Sequence, residues 1–218
     1  MKCIYCNFDK LYTLKTMQVK CANCKRKFSI KKLNQKNKIT KYFIDGHTVN
    51  QTKKLLNLNY ETVKNQYESI RKDISLFLEN NYIQDKVCAY EEYIYIEKSK
   101  RNIKENIFDA KSIISFEYDN KVFNLLMPSL SKYKEQFLQD DAQDIYHKEF
   151  SKFLRFNKIS KIKKEQTLIH QFWYYFEEEI LKYKGISDSN FFYYLKEIEF
   201  KFNYSKKEQK EILVDYYF

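Results

Sequence analysis

Two cysteine pairs, Cys3-Ile4-Tyr5-Cys6 and Cys21-Ala22-Asn23-Cys24, lie within the first 24 residues, with fourteen residues between them. Two intervening residues let both sulfurs of a pair turn onto one ion, and two such knuckles complete a tetrahedral thiolate shell. A segment this short has too little apolar surface to fold by burial alone, so metal binding must supply its folding free energy. Four thiolates leave no position open for water, so the expected role is structural. The expected ligands are Cys3, Cys6, Cys21 and Cys24, and the expected ion is Zn2+. Asn7 and Lys25 follow the second cysteine of each knuckle, where a left-handed backbone is usual. Cys88, the remaining cysteine, reads as a small buried residue of a strand.

The formal net charge of +11 is not spread evenly. Residues 1–81 carry 17 Lys/Arg against 6 Asp/Glu, a difference of +11, and residues 82–218 carry 23 of each, a difference of zero. Confinement of the excess to one end fits a dedicated module that neutralises phosphates. Gly 2 and Pro 1 are very low counts, so Asn, Asp and Ser must make the tight turns. No run of apolar residues is long enough to span a bilayer, and no secretory leader pattern opens the chain. The expected location is cytoplasmic and nucleoid-associated, with no membrane partner.

Residues 35–80 read as helices with a short break. Thr48 is placed to cap a short helix with an inner face of Val49, Thr52, Leu55 and Leu56. Asn57 occupies the turn, and Asn59 caps a second helix with Val63, Tyr67, Ile70 and Ile74 as its buried stripe. This is a helix-turn-helix pattern. The outer face of the second helix offers Tyr60, Glu61, Lys64, Asn65, Arg71 and Lys72. Asparagine and arginine can make paired contacts to base edges, while lysine and tyrosine commonly reach phosphates. Tyr60, Glu61, Lys64 and Asn65 are expected near bases, and Arg71 and Lys72 nearer the backbone. Lys25, Arg26 and Lys27, beside the second knuckle, would sit near phosphates if that module touches DNA.

Further on, Val87–Glu97, Ser112–Tyr118 and Val122–Met127 read as three strands, followed by helices over about 142–155, 164–184, 188–203 and 205–217. Ser205 and Glu208 form a capping box, and Asp188 is an expected N-cap. The expected fold class is α/β. A zinc ribbon (1–33) and a helix-turn-helix segment (34–82) precede a mixed sheet flanked by helices (83–218).

This layout resembles the IS1595-type transposases, the group with an ISXO2-like catalytic domain. Ile169-His170-Gln171-Phe172-Trp173 is similar to that family's Ile-Glu-Asn-Phe-Trp helix. Gly185-Ile186-Ser187 and the stretch from Tyr194-Leu195-Lys196-Glu197 to Phe202-Asn203-Tyr204 are similar to the segments that follow. The resemblance implies an RNase H-like domain in which three acids clamp two divalent ions for strand transfer. Carried over position by position, those acids fall at Glu91, Asp141 and His170. The family's asparagine three residues before the third acid is Thr167 here, and Glu177 stands four after the tryptophan. Of the three acids only Asp141 is unchanged. An imidazole in place of a carboxylate removes a negative charge and a hard oxygen ligand, so magnesium binding should be weak.

The leading expectation is therefore a transposase-derived protein with a degenerate RNase H-like domain, catalytically inactive, that binds double-stranded DNA. A second copy of the chain is a further candidate partner. One alternative is an active transposase with an altered site that uses Mg2+. Another is a zinc-ribbon regulator or adaptor.

Overall fold

In the computed structural model, residues 3–6, 8–15, 18–97, 109–128 and 167–217 are described. The fold is mixed α/β and contains two three-stranded antiparallel sheets. The chain divides into two compact units: Met1–Asn80 together with Phe200–Phe218, and Asn81–Glu199.

The first unit opens with β1 (Leu11–Thr13), β2 (Gln18–Cys21) and β3 (Lys27–Ser29), paired in that order. Side chains alternate across a strand, so Val19, Cys21 and Phe28 share one face with Cys3 and with Leu33 of the next helix. That helix, α1 (Ile30–Ile44), starts where the Ser29 hydroxyl accepts the Lys32 N–H. It ends where Gly46 turns to φ +85°, with Gly46 N–H on the Phe43 carbonyl and His47 N–H on that of Tyr42. Only glycine adopts that backbone without a Cβ penalty, and the paired bonds satisfy carbonyls the helix leaves open.

Helix α2 (Val49–Leu56) carries the expected Thr48 cap, reinforced by the Gln51 side chain returning to the Thr48 N–H. Asn57 sits at φ 50°, ψ 50° and lets Leu58 N–H bond the Lys53 carbonyl. Helix α3 (Tyr60–Asn81) begins where Asn59 Oδ1 accepts the Glu61 N–H at 3.0 Å. Its stripe of Val63, Tyr67, Ile70, Ile74 and Leu78 packs with Ile39 and Phe43 of α1. The expected α2 face is only partly right. Thr52 is buried, but Leu55 is 56 % exposed, because the eight-residue helix turns a narrow stripe inward.

In the second unit, a 3-10 turn (Gln84–Lys86) leads into β4 (Val87–Tyr95), β5 (Lys111–Tyr118) and β6 (Lys121–Leu126). They form an antiparallel meander. Asp119 and Asn120 join β5 to β6 with φ 50° and 57°, the primed hairpin geometry that matches strand twist. Asn and Asp do make the turns that glycine would otherwise make. Helix α4 (Leu168–Glu179), capped by Thr167, passes into a 3-10 turn (Ile180–Lys182). The expected single helix over 164–184 is thus shorter and tightens at its end. Helix α5 (Asp188–Asn203) takes its first bonds on the Ser187 carbonyl, so Asp188 lies in the first turn and is not the cap. Helix α6 (Lys206–Tyr217) has the expected Ser205–Glu208 capping box.

The compact units do not follow the expected boundary of 83–218, since Phe200–Phe218 groups with the first unit. Phe200, Tyr204 and Leu213 belong to the first unit's core beside Ile39, Phe43 and Ile70. Periodicity gave these helices an apolar face but could not name what would cover it. The expected helix at 142–155, together with Asp141, lies outside the described residues.

Candidate functional site

The two knuckles bring the sulfurs of Cys3, Cys6, Cys21 and Cys24 within 4.8 Å of one another. Cys3 and Cys24 are 3.6 Å apart, as are Cys6 and Cys21. A disulfide needs about 2.05 Å, whereas Zn–S bonds of about 2.3 Å in a tetrahedron set S···S near 3.8 Å. The donor set therefore fits one thiolate-bound divalent ion. Backbone geometry supports it. Lys25 adopts φ 60°, as its place after the knuckle requires, and its ammonium caps the Ala22 carbonyl. The Phe8 N–H helps hold the Cys6 thiol down at about 6. The Arg26 N–H acts in the same direction on Cys24, but burial and the three neighbouring sulfurs push that thiol up to about 11. Four sulfurs this close resist joint ionisation, and a central cation removes that penalty. Cys88 takes no part. It is exposed, not buried as expected, because β4 slips register between Val87 and Ala89, and its thiol lies 3.3 Å from the Glu117 carbonyl.

A buried polar bridge joins α2 to α3. Tyr67 Oη donates to the His47 carbonyl at 2.9 Å, which leaves the Thr52 hydroxyl as donor to Tyr67 Oη at 2.7 Å. This bridge sets the angle at which α3 leaves the turn. On the outer face, Tyr60, Glu61, Asn65 and Lys72 are exposed and Lys64 is half-buried, 3.8 Å from Glu61. Arg71 does not join them. It is 4 % exposed, its guanidinium lying 6.0 Å from the Phe43 ring centre and 5.8 Å from that of Tyr67. Arg71 adjoins Ile70 of the buried stripe, and its planar cation packs against the aromatic core instead of standing on the outer face. Of the basic run after the second knuckle, Arg26 lies over the Tyr5 ring at 5.1 Å, while Lys27 is exposed on β3.

In the second unit the face of β4 bearing Glu91, Tyr93 and Tyr95 meets α4. The Tyr93 ring stacks on Trp173 with centres 3.7 Å apart, and Tyr95 meets Phe176 edge-on at 5.3 Å. Glu91, one step earlier, meets His170. Nε2 of His170 lies 2.6 Å from Glu91 Oε2, and Thr167 Oγ1 donates to Glu91 Oε1 at 3.1 Å. Tyr93 Oη donates to Glu177 Oε1 at 2.8 Å. A strand of period 2 against a helix of period 3.6 thus brings Glu91, Thr167 and His170 together across a long stretch of sequence. Glu92, on the opposite face, is exposed. His170 Nδ1 and Trp173 Nε1 are buried without a hydrogen-bond partner among the described residues.

No family model matches the chain, and no curated protein or solved structure is similar to it.

Sequence reasoning missed one cluster entirely. Glu199 of α5 accepts the Asn124 N–H and Nδ2–H at 3.0 and 2.9 Å and pairs with Lys196 at 3.0 Å. Ser115 Oγ donates to Asn124 Oδ1 at 2.6 Å, and Lys196 Nζ sits 3.6 Å from the Phe123 ring centre. Burial raises the Glu199 carboxyl above its ordinary range, against the opposing pull of Lys196 and Asn124. Every polar atom named has a partner, which marks a network that fixes α5 on the sheet. No spacing rule distinguishes these acids and lysines from solvated ones.

Proposed function

We propose that the protein is a transposase-derived DNA-binding protein. A zinc ribbon and a helix-turn-helix engage duplex DNA, and the degenerate RNase H-like centre does not perform strand transfer. The observation that carries the reading is the α2–Asn57–α3 unit. A left-handed asparagine turn and a buried Thr52–Tyr67 bridge hold α3 so that Tyr60, Glu61 and Asn65 stand uncovered at its N-terminal end. A helix entering a major groove leads with those residues. The four-thiolate centre, read as structural Zn2+, holds the small sheet on which Leu33 of α1 packs, and the positive excess of residues 1–81 supplies the phosphate term.

The state of the second unit supports the inactive half of the reading. Both oxygens of Glu91 are engaged by protein groups, one by His170 and one by Thr167. A two-metal centre needs such oxygens free and a further hard oxygen ligand where the imidazole stands. Residues there hold one another instead of presenting an anionic clamp. The full-length zinc-bound chain should bind a selected duplex with strong salt dependence. It should produce no nicking or joining in magnesium or manganese. Asn65→Ala should weaken that binding with little change in salt slope, and Lys72→Ala should weaken it by lowering the salt slope by about 0.9. Metal-dependent strand transfer lost on Asp141→Ala would refute the inactive reading; indifference to duplex at low salt would refute the whole.

A further inference from the structure

The outward face of the β1–β2–β3 sheet is used neither by the thiolate centre nor by α3. Its register sets Tyr12 directly opposite Lys20, and Lys20 directly opposite Lys27. One row therefore crosses the sheet as an aromatic ring followed by two ammonium groups. Alternation sends Val19, Cys21 and Phe28 to the other face, where Leu33 packs. Tyr12 is 50 % exposed, Lys27 is exposed and Lys20 half-buried.

Like charges directly opposite on antiparallel strands repel, and a sheet ordinarily relieves that with a neighbouring acid. Residues 1–44 contain twelve Lys/Arg but a single acid, Asp9. Among the described residues no acid pairs with Lys20 or Lys27. Lys25 and Arg26 are occupied locally, by the Ala22 carbonyl and the Tyr5 ring. The row thus keeps unneutralised positive charge beside an uncovered ring.

We infer that this face binds single-stranded DNA. Two phosphates of the strand neutralise Lys20 and Lys27, and an unpaired base stacks on Tyr12. A base in duplex keeps its faces inside the stack and has none to offer the ring, whereas an unpaired base does. The occupant is distinct from the duplex assigned to α3; Lys27 is common to this face and to the ribbon's proposed duplex contact, so Tyr12, which only an unpaired base can use, separates the two.

The test uses the full-length chain with its metal, in fluorescence anisotropy against labelled oligo(dT) of roughly 15 nucleotides and against a duplex of equal length. Tyr12→Ala should weaken oligo(dT) binding at least about 5-fold, Tyr12→Phe should restore it, and duplex affinity should move less than about 2-fold. Lys20→Gln with Lys27→Gln should lower the single-strand salt slope by about 1.4, or about 0.7 per phosphate. That slope decides the matter if Tyr12→Ala loses metal content. Lys64→Ala should leave oligo(dT) binding intact. Oligo(dT) binding without duplex binding would support this inference while refuting the assignment of α3. Absence of oligo(dT) binding, or equal losses on both probes in Tyr12→Ala, would overturn it.

Discussion

Replacing His170 with glutamate tests whether an imidazole stands where a divalent ion would need a carboxylate. Nε2 of His170 is 2.6 Å from Glu91 Oε2, so a carboxylate reaching the same place would face another across a hydrogen-bond distance. Without a cation, His170→Glu should cost about 1–2 kcal/mol. Loss of a half-exposed contact accounts for up to about 1 kcal/mol, and repulsion between the acids supplies the rest. A cation should reverse that sign. If the new pair binds Mn2+ with a Kd of about 1 mM, then about 10 mM ion stabilises by RT ln 11, about 1.4 kcal/mol. For a chain of this size that is a rise in Tm of about 3–6 °C. Differential scanning calorimetry of wild type and variant, each with and without MnCl2 at constant ionic strength, measures it. The wild type should not shift. An equal shift in both proteins, or none in the variant, would refute the proposal that His170 keeps a divalent ion from this site.

Four further outcomes are expected. Elemental analysis should find about one zinc per chain, and Cys21→Ala should lose both the metal and duplex binding, since the ribbon has little core without it. Tyr67→Phe strands the Thr52 hydroxyl and the His47 carbonyl, and should cost about 1–3 kcal/mol in urea unfolding with an unchanged m-value. Arg71→Met should destabilise the protein while leaving the salt slope of duplex binding unchanged, because the guanidinium is packed on Phe43 and Tyr67; a slope reduced by about 0.9 would return Arg71 to the phosphate backbone. The Tyr175 hydroxyl is pushed up to about 12 by burial, with Glu179 and Glu197 adding to it. Its folded pKa lies above the unfolded value near 10, so its contribution is complete below pH 10 and is lost as pH rises through 12. Absorbance titration should find that Tyr175→Phe removes a late-ionising tyrosine, and alkaline unfolding should then begin at higher pH.

Chemistry that is local in sequence was legible without coordinates. Each CxxC knuckle, the Thr48 and Ser205 caps, the Asn57 turn and the repeat of the α3 stripe involve residues a few positions apart. Bond geometry and backbone sterics determine such features wherever the chain goes. The burial of Arg71 was not legible for a related reason: helical spacing places a residue on the border of a stripe, but only the neighbouring helices decide whether aromatic rings or water receive it.

The encounters between distant segments were decided by tertiary packing. Phe200, Tyr204 and Leu213 could have covered either unit, and the uncovered apolar surface of α1 and α3 took them. Glu199 and Lys196 look like surface charges in sequence, yet they are buried because Asn124 and the Phe123 ring satisfy them. Glu91 and His170 acquire their meaning in the same way, through a contact between a strand and a helix far apart in the chain. Hydrophobic burial is proportional to area and indifferent to sequence order, so one sequence states which faces must be covered and only the folded chain states by what.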